Sequence, residues 1–277
     1  MTLRKPSLFL FVVFVFLMAL VALVVLVFFP GRAPESDRIH IAVASNFTGA
    51  MESLAVRFKE QTGHEVVLSH GSTGMLYAQI RNGAPFDAFF AADAERPALL
   101  DSAGVSLAGS RFTYAVGRIA LWSPQAGWID PDGAVLRSGE FRHLALANPE
   151  LAPYGRAART VLQATGDWDR LEPQRVIGQN IAQTYQFVDS GNAELGFVAY
   201  SQLVAKGHAD GGAKHLKHGS YWLVPQSMYA PIAQQAVVLK DGPVVRAFMD
   251  FVRSEDALEM IRGFGYATER ETTMGTR

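Results

Sequence analysis

The sequence predicts an α/β protein with two lobes, because apolar runs and amphipathic segments alternate along it in two series. Short apolar runs alternate with segments of helical period over residues 39–103 and again over residues 143–200. This alternation is typical of βαβ units, in which helices cover both faces of a mainly parallel sheet. Longer apolar runs at residues 111–123 and 232–239 suggest two crossings between the lobes. A ligand would then lie in the cleft, at the carboxyl ends of the strands.

The individual elements follow from apolar period and from glycine stop signals. The helix at 47–62 has Phe47, Met51, Leu54 and Phe58 on one face and ends at Gly63. The predicted strands are 39–44, 65–69, 87–92, 143–147, 175–177, 195–200, 221–224 and 232–239. The other predicted helices are one from about 74 to Gly83, and 94–103, 153–165, 181–190, 243–253 and 255–263. Residues 38–116 and 233–277 are predicted to form lobe 1, and residues 117–232 lobe 2.

Residues 1–37 are predicted to be a signal peptide or a membrane anchor. Arg4 and Lys5 precede an apolar run of 22 residues from Leu8 to Phe29, which predicts a hydrophobic helix long enough to span a bilayer. Positive charge before this run places the rest of the chain outside the cytoplasm. A clear cleavage site is missing, so a tethered protein remains an alternative to a released one.

Composition excludes several classes of function. The chain has no cysteine, which excludes disulfides, thiol nucleophiles and cysteine metal sites. Its formal net charge of -1 gives no electrostatic reason to expect nucleic acid as a partner. No nucleophile motif such as G-x-S-x-G is present, and no enzymatic activity or cofactor is predicted. His208, His215 and His218 lie in a glycine- and lysine-rich stretch that is typical of a solvated surface rather than a metal site.

Four strand-to-helix junctions share one chemistry. They are Ala44–Thr48, Gly71–Gly74, Asn148–Gly155 and Gly178–Ile181, and none carries Lys or Arg at its tip. Each offers unpaired N–H groups of a first helical turn together with small or neutral polar side chains. Each helix N-terminus acts as roughly half a positive charge, so four converging ends would match a dianion. Ordinary helix capping explains each junction taken alone, and that alternative stays open here.

The chain resembles the periplasmic molybdate-binding proteins, the substrate-binding components of molybdate ABC transporters. The motifs that carry the resemblance occur in the family's order between about Ile39 and Tyr266. They are Ala44-Ser45-Asn46-Phe47-Thr48, Gly71-Ser72-Thr73-Gly74, Gly83-Ala84-Pro85-Phe86-Asp87, Ala91-Ala92-Asp93, Asn148-Pro149, Pro153-Tyr154-Gly155 and Gly196-Phe197-Val198-Ala199.

The resemblance implies a type II periplasmic binding fold that encloses molybdate or tungstate. The oxyanion-binding positions carried over from the family are Ser45, Asn46, Thr73, Tyr154 and, through its backbone N–H, Ile181. Molybdenum would be held as molybdate through hydrogen bonds to its oxygens from Asn46, Thr73, Tyr154 and Ile181, with no direct metal ligand. The family usually has Ser where Thr73 stands. Some members use a Tyr at the position of Ala199, and Tyr200, one residue later, is left out of the predicted site because its side chain would point the other way.

The predicted function is binding of molybdate or tungstate by closure of two lobes and delivery to an ABC-type permease. The protein is expected to be a monomer at the outer face of the cytoplasmic membrane, attached to it if residues 1–37 are not cleaved. Donor chemistry alone leaves sulfate as an alternative ligand, and an enzyme acting on an anionic substrate in the same cleft is a second alternative. The carboxylates near the motifs, Asp87, Asp93 and Glu150, are expected to cap helices, form turns or face solvent. Thr73→Ala is expected to weaken binding with little loss of ligand-free stability.

Overall fold

The structure is a computed structural model that describes residues 38–207 and 219–267. The predicted N-terminal hydrophobic helix and the stretch with His208, His215 and His218 lie outside the described residues. Within the described ranges, no helix is both long and apolar enough to cross a membrane.

The described residues form strands and helices close to those predicted. The strands are β1 Arg38–Ala44, β2 Glu65–Gly71, β3 Ala88–Phe90, β4 Phe112–Gly117, β5 Ile119–Ser123, β6 Leu144–Ala147, β7 Arg175–Gly178, β8 Leu195–Ala199, β9 Ser220–Leu223 and β10 Ile232–Val238. The helices are α1 Thr48–Thr62, α2 Thr73–Arg81, α3 Glu95–Ser102, α4 Val135–Ser138, α5 Pro153–Ala164, α6 Ile181–Asp189, α7 Tyr200–Ala205, α8 Pro243–Arg253 and α9 Glu255–Gly263. A 3-10 helix, Ser45–Phe47, links β1 to α1.

The first sheet has the strand order β2-β1-β3-β10-β4. β1 pairs with β3 in parallel, whereas β10 returns antiparallel to both β3 and β4. Alternate residues of β1 enter different cores: Ile41 and Val43 pack with Phe58 and Phe248, and Ala42 packs with Leu76 on the other face. The apolar run of this strand is therefore buried on both faces, as a strand covered by helices on two sides requires.

The second sheet has the order β7-β6-β8-β5-β9. β6 lies parallel to β7 and β8, and β5 runs antiparallel to β8 and β9. One face packs on α5 through Val161 and Leu162, and the other packs on α6 and α7 through Val188 and Leu203. The two sheets make the predicted two-lobed α/β architecture, while the predicted residue limits of the lobes stay a prediction.

The chain passes between the sheets within the apolar run at 111–123 and again just before the run at 232–239. β4 and β5 are separated by Arg118 alone, yet β4 belongs to the first sheet and β5 to the second. The return passes from β9 in the second sheet to β10 in the first. Two short links of this kind are the geometry of a hinge between lobes.

Two details differ from the sequence prediction. The strand predicted at 195–200 ends at Ala199, and Tyr200 begins α7, a helix that the pattern did not indicate. The short helix α4, Val135–Ser138, was also not predicted. Both helices have fewer than seven residues, too few for an apolar period of 3.6 to be recognised.

Gly117, at the crossing, leaves room for two side chains from elsewhere in the fold. A Cβ at this position would lie 2.1 Å from Tyr154 Oη and 2.7 Å from Gln234 Nε2. We predict that Gly117→Ala displaces these side chains and lowers the free energy of unfolding by about 1–3 kcal/mol, as overpacking of a core does. Denaturant unfolding measures this loss.

Gly263→Ala is the matched control, because a Cβ there meets nothing within 4 Å. It should leave stability unchanged or slightly raised, since Ala favours a helix more than Gly does. Equal stability of the two variants would contradict the close packing at Gly117.

Candidate functional site

All five predicted binding residues are buried, and they follow the carboxyl ends of four strands. Ser45 and Asn46 follow β1, Thr73 follows β2, Tyr154 opens α5 beyond β6, and Ile181 opens α6 beyond β7. β6 and β7 are parallel, and parallel strands bring their carboxyl ends to the same edge, so the two junctions of the second lobe lie at one edge of its sheet.

The junctions Gly71–Gly74 and Asn148–Gly155 touch directly. The Gly74 N–H donates to Leu151 O at 2.9 Å, which joins α2 of the first lobe to the loop that precedes α5 in the second. A Cβ on Gly74 would lie 3.0 Å from the same carbonyl oxygen, so a larger residue would hinder this approach. The glycine after Thr73 therefore serves contact between the lobes.

Helix α7 connects the first and fourth junctions. Ser201 Oγ donates to the carbonyl oxygen of Asn46 at 3.3 Å, and Gln202 Nε2 donates to that of Ile181 at 3.1 Å. The helix that sequence reasoning missed thus ties Asn46 of the first lobe to Ile181 of the second.

A hydrogen-bonded cluster centred on Gln234 joins two of the predicted binding residues. Asn46 Nδ2 donates to Gln234 Oε1 at 2.8 Å, and Gln234 Nε2 donates to Tyr154 Oη at 3.2 Å. Asn46 Nδ2 also donates to Tyr266 Oη at 3.1 Å, so both protons of its amide nitrogen are engaged within the protein. Donation from Asn46 to an anion would therefore have to come from its main-chain N–H.

The hydroxyl groups of three buried residues keep their protons available. Thr73 Oγ1 accepts from the Ala92 N–H at 3.0 Å, and Tyr154 Oη accepts from Gln234. Among the described residues, neither hydroxyl donates to an acceptor, and the Ser45 side chain forms no hydrogen bond there. Since buried polar groups normally have partners, three free hydroxyl protons suit a ligand that only accepts.

The helix caps leave two main-chain donors available as well. Ser72 caps α2 by accepting from the Met75 N–H at 3.4 Å, and Asn180 caps α6 by accepting from the Gln183 N–H at 3.0 Å. Thr73 and Ile181 are the first residues of these helices, where an N–H has no intrahelical partner. The capping alternative therefore holds for Ser72 and Asn180, and it does not account for Thr73 or Ile181.

The site is rich in donors and holds no charged side chain among its predicted residues. Burial raises the pKa of Tyr154 well above its ordinary value and raises the pKa of Tyr266 as well. Both tyrosines therefore stay protonated and neutral around pH 7. Asp93, the carboxylate beside the motif Ala91-Ala92-Asp93, is paired with Arg96 and with Arg156 at 2.9 Å. Its charge is neutralised by these arginines, and among the described residues no group of three potential metal-ligating side chains occurs.

Comparison with known proteins shows the family to which the chain belongs. Residues 39–267 match the family model for bacterial extracellular solute-binding proteins. The molybdate-binding protein ModA of Azotobacter vinelandii is 46% identical over 240 residues, which cover 86% of this chain and 92% of that protein. The chain belongs to the ModA family of bacterial extracellular solute-binding proteins.

Two further comparisons agree. The molybdate-binding protein ModA of Rhodobacter capsulatus is 44% identical over 251 residues, covering 90% of this chain and 94% of that protein. The solved structure of the Azotobacter vinelandii periplasmic molybdate-binding protein superposes with a TM-score of 0.78 at 41% identity, covering 83% of this chain and 99% of that one. The predicted family, the type II binding fold and the expectation of a binding protein rather than an enzyme are confirmed.

Sequence reasoning did not find the residues that connect the ModA-family motifs. Gln234 is fully buried on β10, and Tyr114 and Tyr266 contact the same cluster. One of two adjacent glutamines in the apolar strand Ile232–Val238 must point inward, and this was the available signal for Gln234. No local pattern indicated the two tyrosines, because their roles depend on contacts across more than 100 residues of sequence.

Residues left outside the predicted site have other partners. Tyr200 packs in a separate core of the second lobe, with Arg118 4.6 Å from its ring centre. Asp87 accepts from the His40 N–H at 2.7 Å, and Asp93 accepts from the Arg96 N–H at 3.1 Å, so both carboxylates stabilise turns or helix starts. Glu150 is exposed and pairs with Arg159 at 2.8 Å. These contacts agree with the structural roles expected for the carboxylates.

Thr73 is predicted to serve both stability and binding, and a pair of substitutions tests this. Thr73→Ala removes the acceptor of the buried Ala92 N–H, and an unsatisfied buried N–H costs about 1–3 kcal/mol of unfolding free energy. The expectation that Thr73→Ala leaves ligand-free stability unchanged is therefore corrected. We predict that this variant loses both stability and oxyanion affinity.

Thr73→Ser keeps the hydroxyl as acceptor and donor, and it should retain both properties. Thermal unfolding and calorimetric titration of the two variants measure the difference. If Thr73→Ala bound oxyanion as well as Thr73→Ser does, the Thr73 proton would have no part in binding.

Proposed function

We propose that this protein binds molybdate outside the cytoplasm and delivers it to an ABC-type permease. The observation that carries the proposal is the set of hydroxyls on three buried residues, Ser45, Thr73 and Tyr154, whose protons have no acceptor among the described residues. The free N–H groups of Thr73 and Ile181 add two further donors. The relatives named as molybdate-binding proteins support the choice of anion.

The donor set selects the protonation state of the ligand. A tetrahedral dianion without protons can accept hydrogen bonds at every oxygen, which matches a pocket of donors. Hydrogen phosphate brings a proton that needs an acceptor, and the carboxylate of Asp93 is engaged by two arginines. Tungstate has the same charge and shape as molybdate, so the same site would hold it. No protein atom would bond to the metal itself.

We propose that binding closes the lobes about the two links between the sheets. Ser45, Asn46 and Thr73 would contribute from residues 38–116 and 233–277, and Tyr154 and Ile181 from residues 117–232. A permease would then receive the anion when the lobes separate again. The protein would act as a monomer at the outer face of the cytoplasmic membrane, held there by residues 1–37 if that segment is not removed.

Contacts at the edge of the cleft favour the closed arrangement. Arg156 on α5 pairs with Asp93 at 2.9 Å and with Glu95 at 2.6 Å, and the hydrogen bond from Arg156 lowers the pKa of Glu95. Arg96 pairs with the same Asp93 and donates to the carbonyl oxygen of Glu150 at 3.1 Å. Residues of both lobes thus share one ion-pair network that breaks when the lobes separate.

Thermal unfolding with added anions tests the proposed function. Ligand at 100 times its dissociation constant adds about 2.7 kcal/mol of stability. For a protein of this size that corresponds to a rise in melting temperature of about 5–10 °C. Molybdate and tungstate are expected to give this rise, and sulfate and phosphate at equal concentration a much smaller one. No rise with molybdate, or an equal rise with sulfate, would contradict the proposal.

The ion pairs of Arg156 are predicted to slow release of the anion. Arg156→Ala removes two contacts across the cleft, so dissociation of molybdate measured by stopped flow should become about 3- to 10-fold faster, the range expected for partly exposed pairs. Arg159→Ala is the matched control, because Arg159 lies on the same helix and pairs with Glu150 of its own lobe. Equal dissociation rates in the two variants would show that the Arg156 contacts do not hold the closed form.

A further inference from the structure

In the cluster around Gln234, one main-chain carbonyl determines which group donates and which accepts in each hydrogen bond. Tyr266 Oη donates to the carbonyl oxygen of Asn46 at 2.7 Å. A carbonyl oxygen only accepts, so the proton of this contact belongs to Tyr266. The Tyr266 oxygen must then accept in its contact with the Asn46 side chain at 3.1 Å, and this identifies the Asn46 atom as the donor Nδ2.

The same reasoning continues from Asn46 to Tyr154. The second proton of Asn46 Nδ2 is donated to Gln234, so the Gln234 atom there is the acceptor Oε1. The other end of the amide, Nε2, consequently faces Tyr154 Oη and donates to it. Tyr114 Oη lies 3.1 Å from Gln234 and 3.0 Å from the carbonyl oxygen of Ala91. Its single proton serves one of these acceptors at a time, so the orientation of the Gln234 amide is set by Asn46 and not by Tyr114.

We propose that Gln234 is a positioning residue that turns the hydroxyl proton of Tyr154 toward the bound oxyanion. The inference rests on the proposed function, because it assigns a role within the same site. Tyr154 Oη accepts from Gln234 and has no acceptor for its own proton among the described residues. Tyr154 therefore presents a proton rather than a lone pair to the ligand. Gln234 lies on β10, the strand by which the chain returns to the first sheet. Tyr154 lies on α5, which packs on the second sheet, so the hydrogen bond between them joins the two lobes.

A double-mutant cycle tests whether Gln234 acts through Tyr154. Gln234→Met keeps the length of the side chain and removes the hydrogen bonds of the amide with Asn46, Tyr114 and Tyr154. In the protein with Tyr154, molybdate affinity should fall about 10- to 100-fold, the size of a lost hydrogen bond to a charged group. In the Tyr154→Phe background the same substitution should change affinity less than about 3-fold, because the hydroxyl it positions is gone. Equal losses in the two backgrounds would overturn the proposal, since a purely packing role does not depend on that hydroxyl.

The Gln234→Glu variant supplies a second, independent readout. A protonated carboxyl accepts from Asn46 and donates to Tyr154, as Gln234 does, whereas a carboxylate can only accept and draws the Tyr154 proton away from the ligand. Binding should therefore require uptake of one proton, with molybdate affinity falling up to about 10-fold per pH unit between pH 6 and pH 8. The wild-type affinity should be flat over that range. A molybdate affinity that stays constant while this carboxyl ionises, as infrared spectroscopy of its carboxylate band would show, would also overturn the proposal.

The other ionisable groups near residue 234 do not produce such a slope. Burial raises the pKa of Tyr114, Tyr154 and Tyr266, which keeps all three neutral at these pH values. Asp93 accepts from the Gln235 N–H through its main-chain oxygen, while its carboxylate is paired with Arg96 and Arg156. Gln235→Glu is the matched control, because Gln235 hydrogen-bonds with Arg111 and Thr113 instead of with the cluster. This control should bind like the wild type at every pH.

The order of the experiments distinguishes a wrong role for Gln234 from a wrong choice of ligand. Wild-type protein is titrated with molybdate, tungstate and sulfate first, and the anion that binds most tightly is the probe for all variants. If sulfate is that anion, the choice of molybdate is wrong, yet the cycle and the pH profile still decide the role of Gln234. If Gln234→Met does not fold, as unfolding of the ligand-free variant would show, the pH profile of Gln234→Glu decides it alone.

Discussion

Directed hydrogen bonding among buried neutral groups is the interaction on which the proposed site depends. A buried amide or hydroxyl without a partner destabilises the protein by about 1–3 kcal/mol, so each member of the Gln234 cluster needs a partner of the opposite kind. The carbonyl oxygen of Asn46 can only accept, and this fixes every later donor and acceptor up to Tyr154. The protein thereby presents donors to an anion without burying a cationic side chain, whose desolvation would be costly.

The same cluster explains why the strands at the crossings carry a buried Gln at position 234 and a Gly at position 117. Gln234 lies on the returning strand β10, and Gly117 ends β4 where a side chain would collide with Tyr154 Oη. Tyr154 thus reaches from α5 to the strands through which the lobes are linked. A ligand that accepts hydrogen bonds from both Tyr154 and Thr73 contacts both lobes next to the hinge. Its binding therefore favours the relative position of the lobes in which both bonds form.

Much of the fold followed from the sequence because its signals are local. Apolar period and glycine stops predicted the main strands and most of the helices to within a few residues, and the run broken at Gly117 predicted a crossing. Helices of four and six residues, α4 and α7, were missed because they hold too few turns to show a period. For the site, hydroxyl and helix-start residues were recognisable one by one, but Gln234 and Tyr266 act through partners about 190 to 220 residues away, which no local pattern reveals.

Charge in this protein is placed where the lobes meet at the cleft edge and is absent from the predicted binding residues. Arg156 forms ion pairs with Asp93 and Glu95 between the lobes, whereas Ser45, Thr73 and Tyr154 are neutral donors. Partly exposed ion pairs contribute modestly and exchange readily with water, which suits contacts that must break at each release of the ligand. Buried donors gain strength from the low dielectric and are best satisfied by a full set of anion oxygens, so they discriminate between ligands. The two kinds of contact therefore have different roles. The ion pairs at the cleft edge determine how long the lobes stay closed, and the buried donors determine which anion the closed lobes bind.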